Sequence, residues 1–446
     1  MKRPLRGLYT DYYHLTEAQA YFKKQMSGVA SFEFFVREMP TKRPFLVAAG
    51  LDTVVQHLEE FRFEDEELEW LHTTGAFSGD FINFLTDLRF EGDVEAMPEG
   101  TIFFANEPVL RVTAPIVQAQ LVETRIINIL QCQILFASKA ARSVMAAPGK
   151  QLVDVSMRRA HGAEASLFLA RAAYAAGVTG TSNVAAGHLY DIPLFGTVAH
   201  SYELICGNEI MALETYAQAG DGNLILLFHS YAMEGIKTVL EQVPVLRSRG
   251  VNVRGVLVEG GDLLPAATRV RRLLDEAGLE NLQIFASGDL DEYRITGLLE
   301  QGAPIDGFTL GGRLGTSEDA PFLNCAYDLV EYDEKPTVKQ SRYKATLPGK
   351  KQVYRRYTES GAMDWDLVCE AEEVHDGVPL LHPVFRRGKL LHAVPDLDSI
   401  RARTRSQLSS LPLYVKDLNG AEPYPVEISE EIRGLIRNAQ GEGQPK

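Results

Sequence analysis

The stretch from Gln151 to Ser201 concentrates side chains and turns suited to holding phosphate. LVDVSMRRAHGAEA sets Arg158 and Arg159 directly after an apolar run, GTSN places Thr181, Ser182 and Asn183 in a turn, and GTVAHS places His200 and Ser201 after the apolar IPLF. A guanidinium is a rigid fork of donors that grips a carboxylate or phosphate through two bonds at once, and hydroxyls donate to phosphate oxygens. A neutral imidazole is nucleophilic near pH 7, which makes His200 the first candidate for covalent chemistry, with Thr197 and Ser201 as flanking donors; the alternative is a core histidine satisfied by a backbone group. Adjacent side chains point apart, so one arginine of the pair is expected to face a ligand while the other pairs with Asp154 or Glu164. This is the layout of an enzyme that handles a phosphorylated sugar.

Turns of the same character recur downstream. Ser287, Gly288 and Asp289 follow LQIFA, and Gly311, Gly312 and Arg313 follow IDGFTL, where backbone N–H groups can face phosphate. Lys139 and Arg142, at i and i+3 in ASKAAR, lie near one helical face and either reach a diphosphate or form a solvated basic stripe.

Strands must aim these turns. Apolar strand candidates are LVDVS (152–156), IPLFGT (192–197), LILLF (224–228), VRGVLV (253–258), LQIFAS (282–287) and IDGFTL (305–310), alternating with amphipathic segments such as 266–277, where Val270, Leu273, Leu274 and Ala277 repeat at helical spacing. Repeated βα units imply a parallel sheet. Polar groups follow nearly every strand (Arg158, Arg159, His200, Ser201, His229, Glu259, Asp262, Ser287, Asp289, Gly311, Gly312), and a βα barrel collects all of them on one face, whereas a doubly wound sheet gathers them at one crevice. The expected fold is therefore α/β, an irregular parallel barrel over 131–320. An α+β domain over 1–130 precedes it, with strands at 30–38 and within 98–115 and helix from Val117; strand-rich sequence over 321–446 follows and packs back on that domain. Strand content is expected to continue to the final short helix, with a disordered tail near 438–446.

Composition excludes several classes. The 446 residues, 45% hydrophobic, can bury a large core, and a formal charge of −15 argues against general affinity for nucleic acid. No apolar run approaches the about 20 residues that span a bilayer, and MKRPLRGLYTDYYHL lacks a signal-peptide pattern, so a cytoplasmic location without membrane contact is expected. Cys132, Cys206, Cys325 and Cys369 form no C-x-x-C pair and are read as ordinary buried thiols.

Six blocks in order, GLYTDYYHLTEAQAYF, LVDVSMRRAHGAEA, GTSN, GTVAHS, IFASGDLDEYRI and KATLPGKKQVYR, resemble nicotinate phosphoribosyltransferase from about residue 7 to about residue 360. The resemblance implies a type II phosphoribosyltransferase, an irregular α/β barrel with an added α+β domain, working as a homodimer whose active sites are completed across the interface. It implies the joining of nicotinate to phosphoribosyl pyrophosphate, giving nicotinate mononucleotide and pyrophosphate with Mg²⁺ and coupled ATP hydrolysis, the committed step of NAD salvage. His200 then matches the histidine phosphorylated from ATP, Arg158 and Arg159 engage the base carboxylate and the phosphates, and Gly311 and Gly312 cradle the 5′-phosphate with Arg313 in support. Tyr13 resembles the aromatic that stacks on the pyridine ring from the partner subunit.

The chain also departs from the family's pattern at strand ends. Where the family typically shows Asp-Thr-Tyr-Asp, this sequence has His229, Ser230, Tyr231 and Ala232, removing two carboxylates that would contact Mg²⁺ and ribose. Arg-Leu-Asp-Ser-Gly-Asp becomes Leu257, Val258, Glu259, Gly260, Gly261 and Asp262, which leaves Glu259 and Asp262 as metal candidates and puts leucine where an arginine would meet the base. Gly-Val-Gly-Thr becomes Thr309 to Gly312, and Tyr-Lys becomes Tyr327 and Asp328, a charge reversal expected to weaken anion binding. Three readings stay open: the nicotinate enzyme with Glu259 and Asp262 holding the metal, a relative with altered base or sugar donor, and a non-catalytic nucleotide-binding paralogue.

Overall fold

The computed structural model describes residues 5–196, 199–207, 211–212, 215–216, 223–229, 233–338, 346–420 and 422–442. The chain forms two compact units, residues 1–138 with 322–446, and residues 139–321. The first is built on a seven-stranded antiparallel sheet in the order β13 (Lys335–Pro336), β12 (Cys325–Tyr332), β1 (Val29–Val36), β5 (Pro108–Pro115), β3 (Asp93–Ala96), β17 (His382–Arg386), β18 (Lys389–Leu390). The interior strand β1, VASFEFFV, is buried at every position after Val29, so both faces of the sheet are covered there. Its one charge, Glu33, is neutralised by Lys351 at 2.8 Å and Arg111 at 3.5 Å, as a buried carboxylate requires.

A four-stranded sheet, β16 (Val378–Pro379), β14 (Lys351–Tyr357), β15 (Met363–Glu370) and β19 (Val426–Ile428), and a β2 (Leu46–Val47)/β4 (Ile102–Phe103) pair complete the strands of this unit. The fully buried Arg355–Asp366 pair, 2.5 Å apart, sits in the four-stranded sheet and is further satisfied by Tyr424, whose hydroxyl donates to Asp366 at 3.1 Å. The C-terminal region departs from the expected continuous strand content. Leu397–Ser410 is a helix, capped by Asp396 accepting from the Ser399 N–H at 2.7 Å, and it buries Ile400, Thr404 and Leu408 on one stripe. That stripe is narrow and interrupted by arginines, so its helical period is faint in the sequence. The last helix runs Glu430–Glu442, beyond the expected start of the tail at 438, because Asn438, Ala439 and Gln440 continue it without a breaker; residues 443–446 lie outside the described residues.

The second unit is a parallel sheet in the order β7 (Gly180–Thr181), β6 (Gln151–Asp154), β11 (Gly307–Leu310), β10 (Gln283–Ser287), β9 (Asn252–Glu259), β8 (Asn223–His229). Consecutive strands lie side by side except β7 and β8, which stand at the two edges, and the last strand, β11, also pairs with the first, β6. A doubly wound sheet winds outward from its middle; this order is that of a barrel with one gap, between β7 and β8. Leu194 extends the β7 edge through a single parallel bridge to Thr181, which is all that the expected 192–197 strand makes among the described residues. Pro193 has no N–H to give a ladder, and Leu194 is exposed.

Candidate active site

Because the six strands are parallel, their C-terminal ends share one side, and that side carries the turns after β6, β7, β9, β10 and β11. His200 opens the helix His200–Cys206, with Ser201 exposed beside it, and His229 ends β8. The side chains of His200 and His229, and Thr197, Ser230, Tyr231 and Ala232 altogether, lie outside the described residues.

The turn after β6 is organised by Asp154. Its buried carboxylate accepts from the Ser156 N–H at 2.9 Å, from the Ser156 hydroxyl, and from the Thr181 hydroxyl at 2.7 Å. Burial pushes the Asp154 carboxyl above its ordinary range, opposed by these bonds. Asp154 is thus occupied and is not the partner of an arginine. Arg158 and Arg159 are both exposed in the turn that follows, and neither meets a carboxylate among the described residues. The Arg159 stem runs beside the turn after β11: a Cβ added at Gly315 would sit 3.0 Å from Ser156 Cβ and 3.3 Å from Arg159 Cβ, so glycine permits the two turns to close together.

GTSN is less available than its composition suggests. Thr181 is buried against Asp154, and Asn183 is buried as the cap of the helix Val184–Tyr190, accepting from the Ala186 N–H at 3.3 Å and donating to the Ser166 hydroxyl at 3.3 Å. Only Ser182 keeps partial exposure; its N–H donates to the Asp154 carbonyl at 2.8 Å. Direct contact of Thr181 and Asn183 with a ligand is therefore corrected to a positioning duty, since a strand end so short must fix its turn with side chains.

Across the sheet, Ser287 and Glu259 are register partners at the ends of β10 and β9, with the Ser287 hydroxyl donating to Glu259 Oε1 at 3.4 Å. Gly260 and Gly261 both take positive φ, 78° and 66°, and turn the chain so that Asp262 starts the helix Leu263–Glu276. Asp262 is exposed and makes no side-chain cap bond. Gly288 (φ 132°) and the exposed Asp289 form the turn after β10, and Gly311 and Gly312 the turn after β11. Leu257 is buried in a core cluster with its register partner Phe285, so in this chain the position serves packing.

Three expected cations are already neutralised. Arg313 is paired with Asp291 and, at 3.3 Å, with Glu318. Lys139 contacts Glu292 at 2.7 Å and Asp319 at 2.8 Å, and Arg142 contacts Glu292 at 3.0 Å and the Tyr293 hydroxyl at 2.9 Å. Lys139 and Arg142 are buried, which corrects both the diphosphate and the solvated-stripe readings: their helical face turns into packed protein, where Glu292 is their counter-ion. Glu292 was not singled out from the sequence, although its place beside the helix cap Asp291 in DLDEYR was the available signal. In the first unit, the reversed charge of Asp328 is met by Arg37 at 2.5 Å and by the Thr346 hydroxyl at 2.8 Å, so it is balanced locally. Tyr13 is exposed on the helix Tyr12–Lys23, its ring 4.1 Å from that of His14.

Residues 8–131 match the nicotinate phosphoribosyltransferase (NAPRTase) N-terminal domain, and residues 374–436 the nicotinate phosphoribosyltransferase C-terminal domain. A nicotinate phosphoribosyltransferase of Mycobacterium tuberculosis is 44% identical over 441 residues, covering 98% of this chain and 94% of the relative. The chain belongs to the nicotinate phosphoribosyltransferase family. The Bacillus subtilis nicotinate phosphoribosyltransferase is 34% identical, covering 95% and 93% of the two chains. Human nicotinic acid phosphoribosyltransferase superposes with a TM-score of 0.86 at 26% identity, covering 97% of this chain and all of that one. The expected α/β class is thus the fold of this transferase family, and no helix among the described residues is long and apolar enough to cross a membrane.

Proposed function

We propose that the protein joins nicotinate to phosphoribosyl pyrophosphate, releasing nicotinate mononucleotide and pyrophosphate in NAD salvage. The observation that carries this reading is the pair of exposed arginines, Arg158 and Arg159, after a strand end in a unit where Arg313, Lys139 and Arg142 are already charge-balanced. An exposed guanidinium without a carboxylate is free to take an anion, and this reaction presents a pyridine carboxylate, a 5′-phosphate and a diphosphate. One arginine orients the nicotinate carboxylate and its neighbour takes a phosphate oxygen; Ser182, Ser287, Gly288 and Asp289, with the Gly311–Gly312 turn, hold the phosphoribosyl group. The ring nitrogen lone pair forms the bond to the anomeric carbon as the carbon–oxygen bond to pyrophosphate breaks and its electrons leave with the diphosphate. Fixed positive charge opposite that leaving group stabilises the transition state more than the ground state.

Glu259 and Asp262 are the residues that would hold magnesium. Both offer carboxylate oxygens on one turn, and Asp262 is uncommitted by capping, a donor set that suits a hard cation kept partly hydrated and shared with a diphosphate. Bound there, the ion would neutralise diphosphate charge. ATP coupling belongs to His200, whose nitrogen would take the γ-phosphoryl group as ADP departs. A cytoplasmic homodimer, with Tyr13 of one copy offered to the base held by the other, completes the proposal.

The purified protein, given nicotinate, phosphoribosyl pyrophosphate and Mg²⁺ with and without ATP, is expected to release pyrophosphate and mononucleotide detectable by mass spectrometry. A folded protein silent with nicotinate but active with another base would replace the substrate assignment. For His200, an acid-labile phosphate adduct formed from ATP and lost in His200→Asn is expected; its absence from the wild type removes the coupling role. Calorimetric binding of phosphoribosyl pyrophosphate should depend on Mg²⁺ and weaken in Asp262→Ala.

A further inference from the structure

In the four-stranded sheet of the first unit, the turn leaving β15 gathers three different metal-ligand chemistries. Cys369, Glu373 and His375 each present one ligand atom, and the three lie within 4.8 Å of one another. The Cys369 side chain is fully buried, and its thiol makes only a long 3.7 Å approach to the Gln352 carbonyl. Glu373 is held in place from behind: its Oε1 accepts from the Glu370 N–H at 2.7 Å and from the Ser429 hydroxyl at 2.8 Å. Its Oε2 is thereby fixed toward His375 Nε2, 2.8 Å away, and the imidazole stands edge-on to Tyr354 with ring centres 5.7 Å apart.

We propose that Cys369, Glu373 and His375 form a structural site for a divalent transition metal, with zinc the best match to the ligands. Sulfur and imidazole together select a borderline-soft ion over magnesium or calcium, and a carboxylate as third ligand leaves one tetrahedral position for water or for Glu431, which neighbours Glu373 at the start of the last helix. The backbone and hydroxyl donors already on Glu373, and the ring that braces His375, are the outer contacts that orient first ligands in metal sites. Binding displaces the thiol proton to solvent and replaces the His375–Glu373 hydrogen bond, with the neutral imidazole keeping its proton on the other ring nitrogen. The ion would tie the end of β15 to the turn that follows it, a turn that already contacts Tyr354 on β14 and Ser429, remote in sequence from every strand-end residue of the transfer reaction. This site is distinct from Glu259 and Asp262 and rests on different ligand chemistry.

The test uses the full chain, stripped with a chelator and titrated with Co²⁺ and then Zn²⁺. The expected result is one ion per chain, a sulfur-to-cobalt charge-transfer absorption that Zn²⁺ abolishes, and a higher Tm with Zn²⁺. Cys369→Ser should remove the absorption. His375→Gln, at a half-exposed position where the fold tolerates change, should weaken affinity by at least about tenfold while leaving the metal-free Tm unchanged. Stoichiometric Co²⁺ binding that is absent from the wild type, unaffected by His375→Gln, or still sulfur-ligated in Cys369→Ser overturns the proposal, the last outcome assigning the ion to Cys132, Cys206 or Cys325.

Discussion

Two pairs of cations in the same α/β unit meet opposite fates. Lys139 and Arg142 are buried on a helix and neutralised by Glu292 and Asp319, whereas Arg158 and Arg159 stand exposed on a turn with no carboxylate among the described residues. In sequence both pairs are candidates for phosphate, with a solvated stripe the alternative for Lys139 and Arg142. The difference teaches that a basic residue becomes an anion site only where the fold withholds its counter-ion: the first pair holds the unit together, and the second is left to a ligand.

The largest effect should come from removing a buried counter-ion. Glu292→Gln leaves Arg142 and, in part, Lys139 buried without their acid, and should lower unfolding free energy by about 3–5 kcal/mol in a denaturant titration. A loss under about 1 kcal/mol would break the contrast between the two pairs.

Glu123 is the reverse case, an acid buried with too little positive charge. Burial, then Asp328, Glu17 and Asp11, push its carboxyl from 4.5 up to about 8. An acid whose folded value is raised contributes stability that is complete below its unfolded value and is lost as pH rises through the folded one. The wild type should therefore lose on the order of 4 kcal/mol between about pH 5 and about pH 9, and Glu123→Gln should flatten that slope in Tm measured against pH.

Smaller again, Arg158→Gln and Arg159→Gln should each raise KM for phosphoribosyl pyrophosphate or nicotinate about tenfold or more, with stability unchanged within about 0.5 kcal/mol. The smallest change is expected in Arg313→Gln, whose paired guanidinium should alter KM by no more than about twofold. If Arg313→Gln matched Arg159→Gln, pairing would not be what separates binding from structural cations.

Much of this contrast was legible. The apolar runs at LVDVS, LILLF, VRGVLV, LQIFAS and IDGFTL became strands because continuous β-branched and aromatic residues suit a sheet buried on both faces. The turn after β9 was read only as a departure from the family's pattern, and the structure shows what its glycines do there: Gly260 and Gly261 both take positive φ. IPLFGT failed as a strand because proline interrupts its ladder, and Leu397–Ser410 was missed because its buried stripe is only one residue per turn.

The site was harder, since residue type announces what a side chain can do but not what already occupies it. Thr181 and Asn183 are committed to Asp154 and to a helix cap, Arg313 to Asp291, and Asp328 to Arg37. The Cys369, Glu373 and His375 cluster escaped a reading tuned to paired cysteines because its ligands are of three kinds.

By itself, the sequence determined the family, the alternation of strands and helices and the turns that end them, because hydrophobic periodicity and local turn chemistry are written in neighbouring residues. Tertiary structure alone decided which charges are spent on one another. Glu292 lies 150 residues from Arg142 and 153 from Lys139, and only the packing of helix against helix in a low-dielectric interior makes that pairing compulsory and leaves Arg158 and Arg159 for a substrate.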